Sequence, residues 1–167
     1  MDSVDAISDN DKMAQIAIDF HTKNVHWAKE TYIKFGGIFP VVLGLTTDNK
    51  VLYASIPNVG AGKFGTAMKI IAENMKRSFR LLAVSFVSEA WIAEASNLKE
   101  ESEIMALRDL GEYERKSEVI MVETIDRLGH QLFFIAKVIK DGDRISFSDS
   151  FDMTGEIGGT LGDFKLM

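Results

Sequence analysis

Residues 79–92 read FRLLAVSFVSEAWI, and their pattern decides the fold. In an extended chain Phe79, Leu81, Ala83 and Val87 point to one side, and Leu82, Val84, Phe86, Ala90 and Ile92 point to the other. A strand apolar on both faces has to be covered on both, so the segment reads as a central strand, not an edge. Near its end Ser88, Glu89 and Trp91 bring polar and aromatic groups up to the core.

Downstream of this strand, three further strand-like runs follow one another closely: Glu118–Asp126, His130–Lys140 and Arg144–Phe151. The connections Arg127-Leu128-Gly129 and Asp141-Gly142-Asp143 are too short for a crossover, so the three form an antiparallel meander. Between the central strand and the meander, residues 97–117 are crowded with charge, among them Glu100, Glu101, Glu103, Lys99, Arg108 and Arg115. They read as an exposed excursion, with Ile104, Leu107 and Leu110 spaced for one short helix.

Upstream, Phe64, Ala67, Met68, Ile71, Ala72 and Met75 have helical spacing and predict a helix over 61–77. Ile38–Thr46 and Val51–Ile56 flank the polar turn Thr47–Lys50 and predict a hairpin, with Pro40 at the strand start because it has no N–H for a ladder. Met13, Ile16, Ala17, Phe20, Asn24, Trp27 and Thr31 predict a helix over 10–32, with a single polar gap at Asn24 and a thinner second stripe of Ile18, Val25 and Tyr32. Ser8 or Asn10 caps it and Gly36-Gly37 stops it. The order helix, hairpin, helix, strand, excursion, meander predicts the α+β class. The expected architecture is a single two-layer domain over 10–151: a mostly antiparallel sheet, two helices packed on one face, and a C-terminal β-meander. A flexible acidic segment, 1–9, and a flexible Gly-rich tail, 152–167, flank it.

The 167 residues are 46% hydrophobic and 26% charged, which is ordinary for one soluble globular domain. Cysteine is absent, so a disulfide framework, a thiolate metal site and a cysteine nucleophile are excluded. The formal charge of −6 disfavours nucleic acid as a partner. The acidic start is unlike a secretory signal, and no run approaches a membrane span. A cytoplasmic protein is the expectation.

Gly60-Ala61-Gly62-Lys63-Phe64-Gly65 fits G-x-G-x-x-G ahead of a helix, with Thr66 following. Such a loop can bring backbone N–H groups to a phosphate. Glu89, 24 residues beyond Gly65, stands near the place of a ribose-binding acid. Against a dinucleotide site, the downstream chain is a meander and not a parallel sheet. Phe64 follows Lys63 where a P-loop needs Ser or Thr. Glu89 beside Trp91 is the second candidate, since a partly desolvated carboxyl gains acid-base character. His21 and His26 are five positions apart, about 140° around a helix, and share no face. His26 and Glu30 do share one, but two ligands do not make a metal centre. His130 opens a strand. No metal site, cofactor or catalytic constellation is expected.

Val87-Ser88-Glu89-Ala90-Trp91, followed by a charged excursion and then Lys116-Ser117-Glu118-Val119-Ile120-Met121-Val122, resembles a group of small uncharacterised proteins of bacterial and phage genomes. There a Ser-Glu-Ala-Trp-like strand end precedes a basic-x-Glu strand start. The proline usual before the second motif is missing here, and Glu114 stands near its place. The resemblance implies a phage or mobile-element origin, hence the host cytoplasm, and draws interest to Glu89, Trp91, Lys116 and Glu118. It carries no activity. If the two strands are antiparallel neighbours, Glu89 and Lys116 meet at one sheet end and can pair. The leading expectation is a non-enzymatic accessory protein that binds a macromolecular partner or self-associates, for instance as a homodimer. The alternatives are a domain binding a phosphorylated small molecule through 60–66 and Glu89, and a virion structural role.

Overall fold

In the computed structural model, residues 9–55, 64–93, 95–107, 113, 114, 116–148 and 151–154 are described. Three helices, α1 (Asp9–Phe35), α2 (Phe64–Ser78) and α3 (Leu98–Met105), accompany seven strands. These are β1 (Val41–Thr46), β2 (Val51–Ser55), β3 (Leu81–Ile92), β4 (Ser117–Asp126), β5 (Gln131–Asp141), β6 (Arg144–Phe147) and β7 (Phe151–Thr154). All pairings are antiparallel, in the order β2-β1-β3-β4-β5-β6, and β7 lies beside β5 with β6. The protein is α+β, with a curled antiparallel sheet that ends in the meander.

β3 is interior, between β1 and β4, as a strand apolar on both faces must be. Its alternating faces feed two separate cores. Ala83 and Val87 join Phe20, Ala28 and Tyr32 of α1, together with Leu43, Ile120, Val122 and Phe134. Val84 and Phe86 join Met68, Ala72 and Met75 of α2, together with Val42 and Ile125. The two helices therefore lie on opposite faces of the sheet. This corrects the expected two-layer arrangement with both helices on one face: a strand apolar on both sides is covered by one helix on each. Each large aliphatic side chain buried this way contributes about 1.5–3 kcal/mol.

The polar gap at Asn24 has a partner in the sheet. Asn24 Nδ2 donates to Ser85 Oγ at 2.8 Å, Ser85 Oγ lies 2.6 Å from Thr124 Oγ1, and His21 Nδ1 lies 2.7 Å from the same Thr124 oxygen. Ser85 and Thr124 are direct cross-strand partners, so two strands and α1 are tied at one buried point. A slipped register would strand these groups without partners, at about 1–3 kcal/mol each.

The turns follow their glycines. Gly129 and Gly142 adopt φ of 88° and 61°, and Asn49 supplies the positive φ of the first hairpin at 64°. α3 is capped by Asn97, whose side chain accepts from Glu100 N at 2.9 Å, and none of its residues is buried. The charged excursion thus carries one surface helix. β7 takes the sheet past 151, where the sequence reading ends the domain, as far as Thr154. Of the segments expected to be flexible, 1–9 and 152–167, residue 9 begins α1 and 152–154 belong to β7, while 1–8 and 155–167 lie outside the described residues.

Candidate functional site

The antiparallel register of β3 and β4 sets Trp91 opposite Glu118 and Glu89 opposite Ile120. Glu89 and Glu118 are then diagonal neighbours on the face that α1 covers, within reach of each other. Glu89 Oε1 accepts the backbone N–H of Ile38, and the Glu118 carboxyl is a close electrostatic neighbour of Glu89. Tyr32 OH, fully buried, donates to Glu118 Oε1 at 2.5 Å, and Lys140 Nζ lies 3.2 Å from Glu118 Oε2. Lys140 also stands 5.6 Å from the centre of the Tyr32 ring.

Burial of the Glu89 carboxyl, reinforced by the neighbouring Glu118, pushes its pKa above the ordinary carboxyl value, although the Ile38 N–H pulls the other way. Burial and the bond to Glu118 raise the Tyr32 phenol. The Tyr32 hydroxyl and then the Glu118 carboxylate hold Lys140 protonated to higher pH. Two carboxyls and one ammonium form a compact network at one sheet end.

A pocket of about 760 Å³ opens beside this network. Trp27, Thr31 and Phe35 of α1 form one wall, Val41, Tyr53 and Ser55 of the β1–β2 hairpin form another, and Gly37, Ile38 and Phe39 close one end. Glu89 is its acidic lining residue. The hairpin arm exists because β2 is the sheet edge and α1 reaches across β3, β4, β5 and β6 instead. Phe39, Phe35 and Tyr53 are 88%, 71% and 67% exposed at its rim. Gly37 lets the Glu89 carboxyl approach closely, since a Cβ there would lie 2.8 Å from Glu89 Oε1 and the carboxyl would have to shift.

No family model, curated protein or solved structure matches this chain.

The structure brings all four motif residues to one sheet end but pairs them differently from the expectation. Glu89 and Lys116 do stand at the same sheet end. Lys116 Nζ, however, lies 5.1 Å above the Trp91 ring and donates to Tyr113 O at 3.2 Å. Glu118 takes its cation from Lys140, and Glu89 is held by the Ile38 N–H. Gly60, Gly62 and Lys63 lie outside the described residues; Gly65 and Thr66 fall in the first turn of α2, with Thr66 exposed. α2 packs on the opposite face from Glu89, so the helix behind the glycine motif and the Glu89 cluster belong to different layers.

His26 pairs with Glu30 at 3.0 Å on the exposed face of α1, and His130 Nδ1 lies 2.6 Å from Asp126 Oδ2 at a turn. Among the described residues no group of three or more His, Asp or Glu could hold a metal ion, and no helix is long and apolar enough to cross a membrane. Tyr32, Lys140 and the pocket aromatics escaped the sequence reading. Tyr32 was visible only as the end of a thin second stripe, and Lys140 only as a charge closing a strand.

Proposed function

We propose that this chain is a binding protein whose site is the pocket between α1 and the β1–β2 hairpin, and that the pocket takes a small apolar ligand beside Glu89. One observation carries the reading. A cleft of about 760 Å³ is walled by Trp27, Phe35, Phe39 and Tyr53, with Glu89 the single carboxyl among the described lining residues. Ligand sites are commonly clefts of about 300–1,000 Å³, mostly apolar, with a few placed polar groups. Among the described residues the one charged lining group is an acid, which favours a ligand without phosphate at this site.

The test is a thermal-shift screen of small aromatic compounds against the wild type and Tyr53→Ser. Tyr53 lies on an exposed edge strand, so its loss removes a pocket wall without touching the core. A ligand at 100 times its Kd stabilises by about 2.7 kcal/mol, or roughly 5–10 °C in a domain of this size. A hit whose shift is lost in Tyr53→Ser supports the reading. No hit across the screen, or hits that Tyr53→Ser leaves unchanged, refutes it.

A second reading, self-association through the same rim, is favoured by the 88% exposure of Phe39. Large apolar side chains grouped in the open mark interaction surfaces. Sedimentation tests it: a dimer that Phe39→Ser dissociates supports self-association, and a monomer at all concentrations refutes it.

A further inference from the structure

We infer that the ligand class of this pocket is an organic ammonium ion with an apolar body, its nitrogen at Glu89 and its body against Trp27, Phe35, Phe39 and Tyr53. The inference rests on the pocket being a ligand site and adds the charge of what fills it.

Three independent features of the wall point to a cation. The first is the charge of the network. Glu89 and Glu118 together face one ammonium, Lys140, among the described residues, so full ionisation of the pair leaves one negative charge unmatched. Lys140 and Tyr32 sit on the Glu118 side, and only Glu89 of the four lines the pocket. The second is α1, which ends at Phe35 on the pocket wall. A helix C-terminus carries about half a negative charge on its last carbonyls. The third is the ring faces, since an aromatic π-system attracts cations within about 6 Å of its centre. This protein already uses that contact around the same sheet end: Lys116 over Trp91 at 5.1 Å, Lys140 over Tyr32 at 5.6 Å and Lys34 over Phe35 at 5.2 Å.

An anionic ligand would meet the Glu89 carboxyl and the carbonyl end of α1. Lys34 Nζ lies 5.2 Å over the ring of Phe35, a rim residue. A neutral ligand could accept a hydrogen bond from protonated Glu89, and this is the reading the experiment has to separate. Protonation also gives the cation site a pH dependence. A cation favours ionised Glu89, so its binding displaces the proton that burial and Glu118 hold there. Affinity for an ammonium ion therefore rises as pH rises through the Glu89 titration and then levels off, whereas affinity for a neutral isostere does not follow this rise.

The chain has two tryptophans, so Trp91→Phe leaves Trp27 as the only indole, inside the pocket. In that background, Trp27 fluorescence is titrated with 2-phenylethylammonium, 2-phenylethanol and phenylacetate, at about pH 7.5 and about pH 5. The expected order at the higher pH is ammonium tightest by about tenfold or more over the alcohol, with phenylacetate weakest. Glu89→Gln, which keeps the size and the acceptor for Ile38 N–H, should bring ammonium and alcohol to within about threefold. Tyr53→Leu should weaken the ammonium more than the alcohol, since it removes a π face and keeps an apolar one. Equal affinities of ammonium and alcohol in the wild-type pocket overturn the cation inference and leave the pocket as a ligand site. A preference that survives Glu89→Gln overturns the role of Glu89. If none of the three perturbs Trp27, the ligand-site reading itself fails. Far-ultraviolet dichroism on each variant shows that the comparison is made on folded protein.

Discussion

The hydroxyl of Tyr32 can be deleted with almost no change in shape, which makes Tyr32→Phe a direct measure of the network beneath the pocket. Tyr32 is 0% exposed and its OH donates to Glu118 Oε1 at 2.5 Å. A hydrogen bond to a charged group contributes about 1.5–3 kcal/mol. The lower part of that range applies here, because Glu118 keeps Lys140 at 3.2 Å and its side chain is 17% exposed, so the freed oxygen is not stranded. A loss of about 1.5–2 kcal/mol is expected, which lowers Tm by about 3–8 °C in a domain of this length. Urea denaturation should show a lower midpoint with the slope unchanged, since no new surface is exposed on unfolding. The double-mutant cycle with Glu118→Gln isolates the contact, and the phenol should matter at least about 1 kcal/mol less once the acceptor is neutral. A Tyr32→Phe protein as stable as the wild type, or an undiminished effect in the Glu118→Gln background, would refute the network as drawn.

Glu89→Gln should change how stability depends on pH. The folded protein holds the Glu89 proton more tightly than the unfolded chain, so this residue's contribution is full below the ordinary carboxyl value of 4.5 and is lost as pH rises through its raised value. Glutamine mimics the protonated form; the variant's Tm should gain on the wild type from acid toward neutral pH, and parallel profiles would contradict the assignment. Gly37→Ala should drive the Glu89 carboxyl off the Ile38 N–H, since the new Cβ would come within 2.8 Å of Oε1. That leaves a buried donor unpaired, so chemical denaturation should show a loss of about 1–3 kcal/mol, and wild-type stability in this variant would count against the close approach. Asp126 accepts from Leu128 N at 2.9 Å, from His130 N at 2.8 Å and lies 2.6 Å from His130 Nδ1, so Asp126→Ala should cost about 2–4 kcal/mol by releasing the β4–β5 turn. A loss under about 1 kcal/mol in calorimetry would show that the glycine at 129 alone holds the turn.

Strands and turns were the legible part of the sequence, because they are written in local pattern. β3 announced itself by being apolar on both faces, and Gly129 and Gly142 marked the hairpins that their positive φ makes possible. α1 was legible as a helix but not in its exact facing. The expected stripe runs through Trp27 and Thr31, whereas the buried line passes through Ala17, Phe20, His21, Asn24, Ala28 and Tyr32. The difference is one position around the helix, too small for periodicity to resolve, yet it turns two expected core residues into a pocket wall. The placement of α2 was inferable in principle: a strand apolar on both sides needs a cover on each, and only two long amphipathic helices were on offer. The pocket was not inferable. It draws on α1, the loop after it, β1, β2 and β3, and no local pattern encodes how a helix end lies over a hairpin.

Why an acid stands at the end of β3 follows from how the sheet is covered. Along its middle the strand is sealed by α1 on one face and α2 on the other, and a carboxyl there would have no water and no partner. Burying an unpaired charge costs many kcal/mol, so a carboxyl can be carried only where the cover thins. At Glu89 it does thin: α1 ends at Phe35, the chain turns at Gly36, and the Ile38 N–H becomes available as a donor. The same ending leaves β2 without a helix above it, and Tyr53 stays 67% exposed. One structural event, the termination of α1 over a sheet that continues beyond it, therefore creates the cleft, the aromatic rim and the tolerated acid together. Stability alone would favour an apolar residue at 89, since replacing a buried charge network with well-packed hydrophobic groups is often neutral or stabilising. An acid at 89 with a donor, a second carboxyl and a lysine arranged around it suits the proposed cation site. If Glu89→Leu proves more stable than the wild type while abolishing the preference for 2-phenylethylammonium, the acid is there for the ligand; if it loses stability by about 3 kcal/mol or more, the network is part of the scaffold.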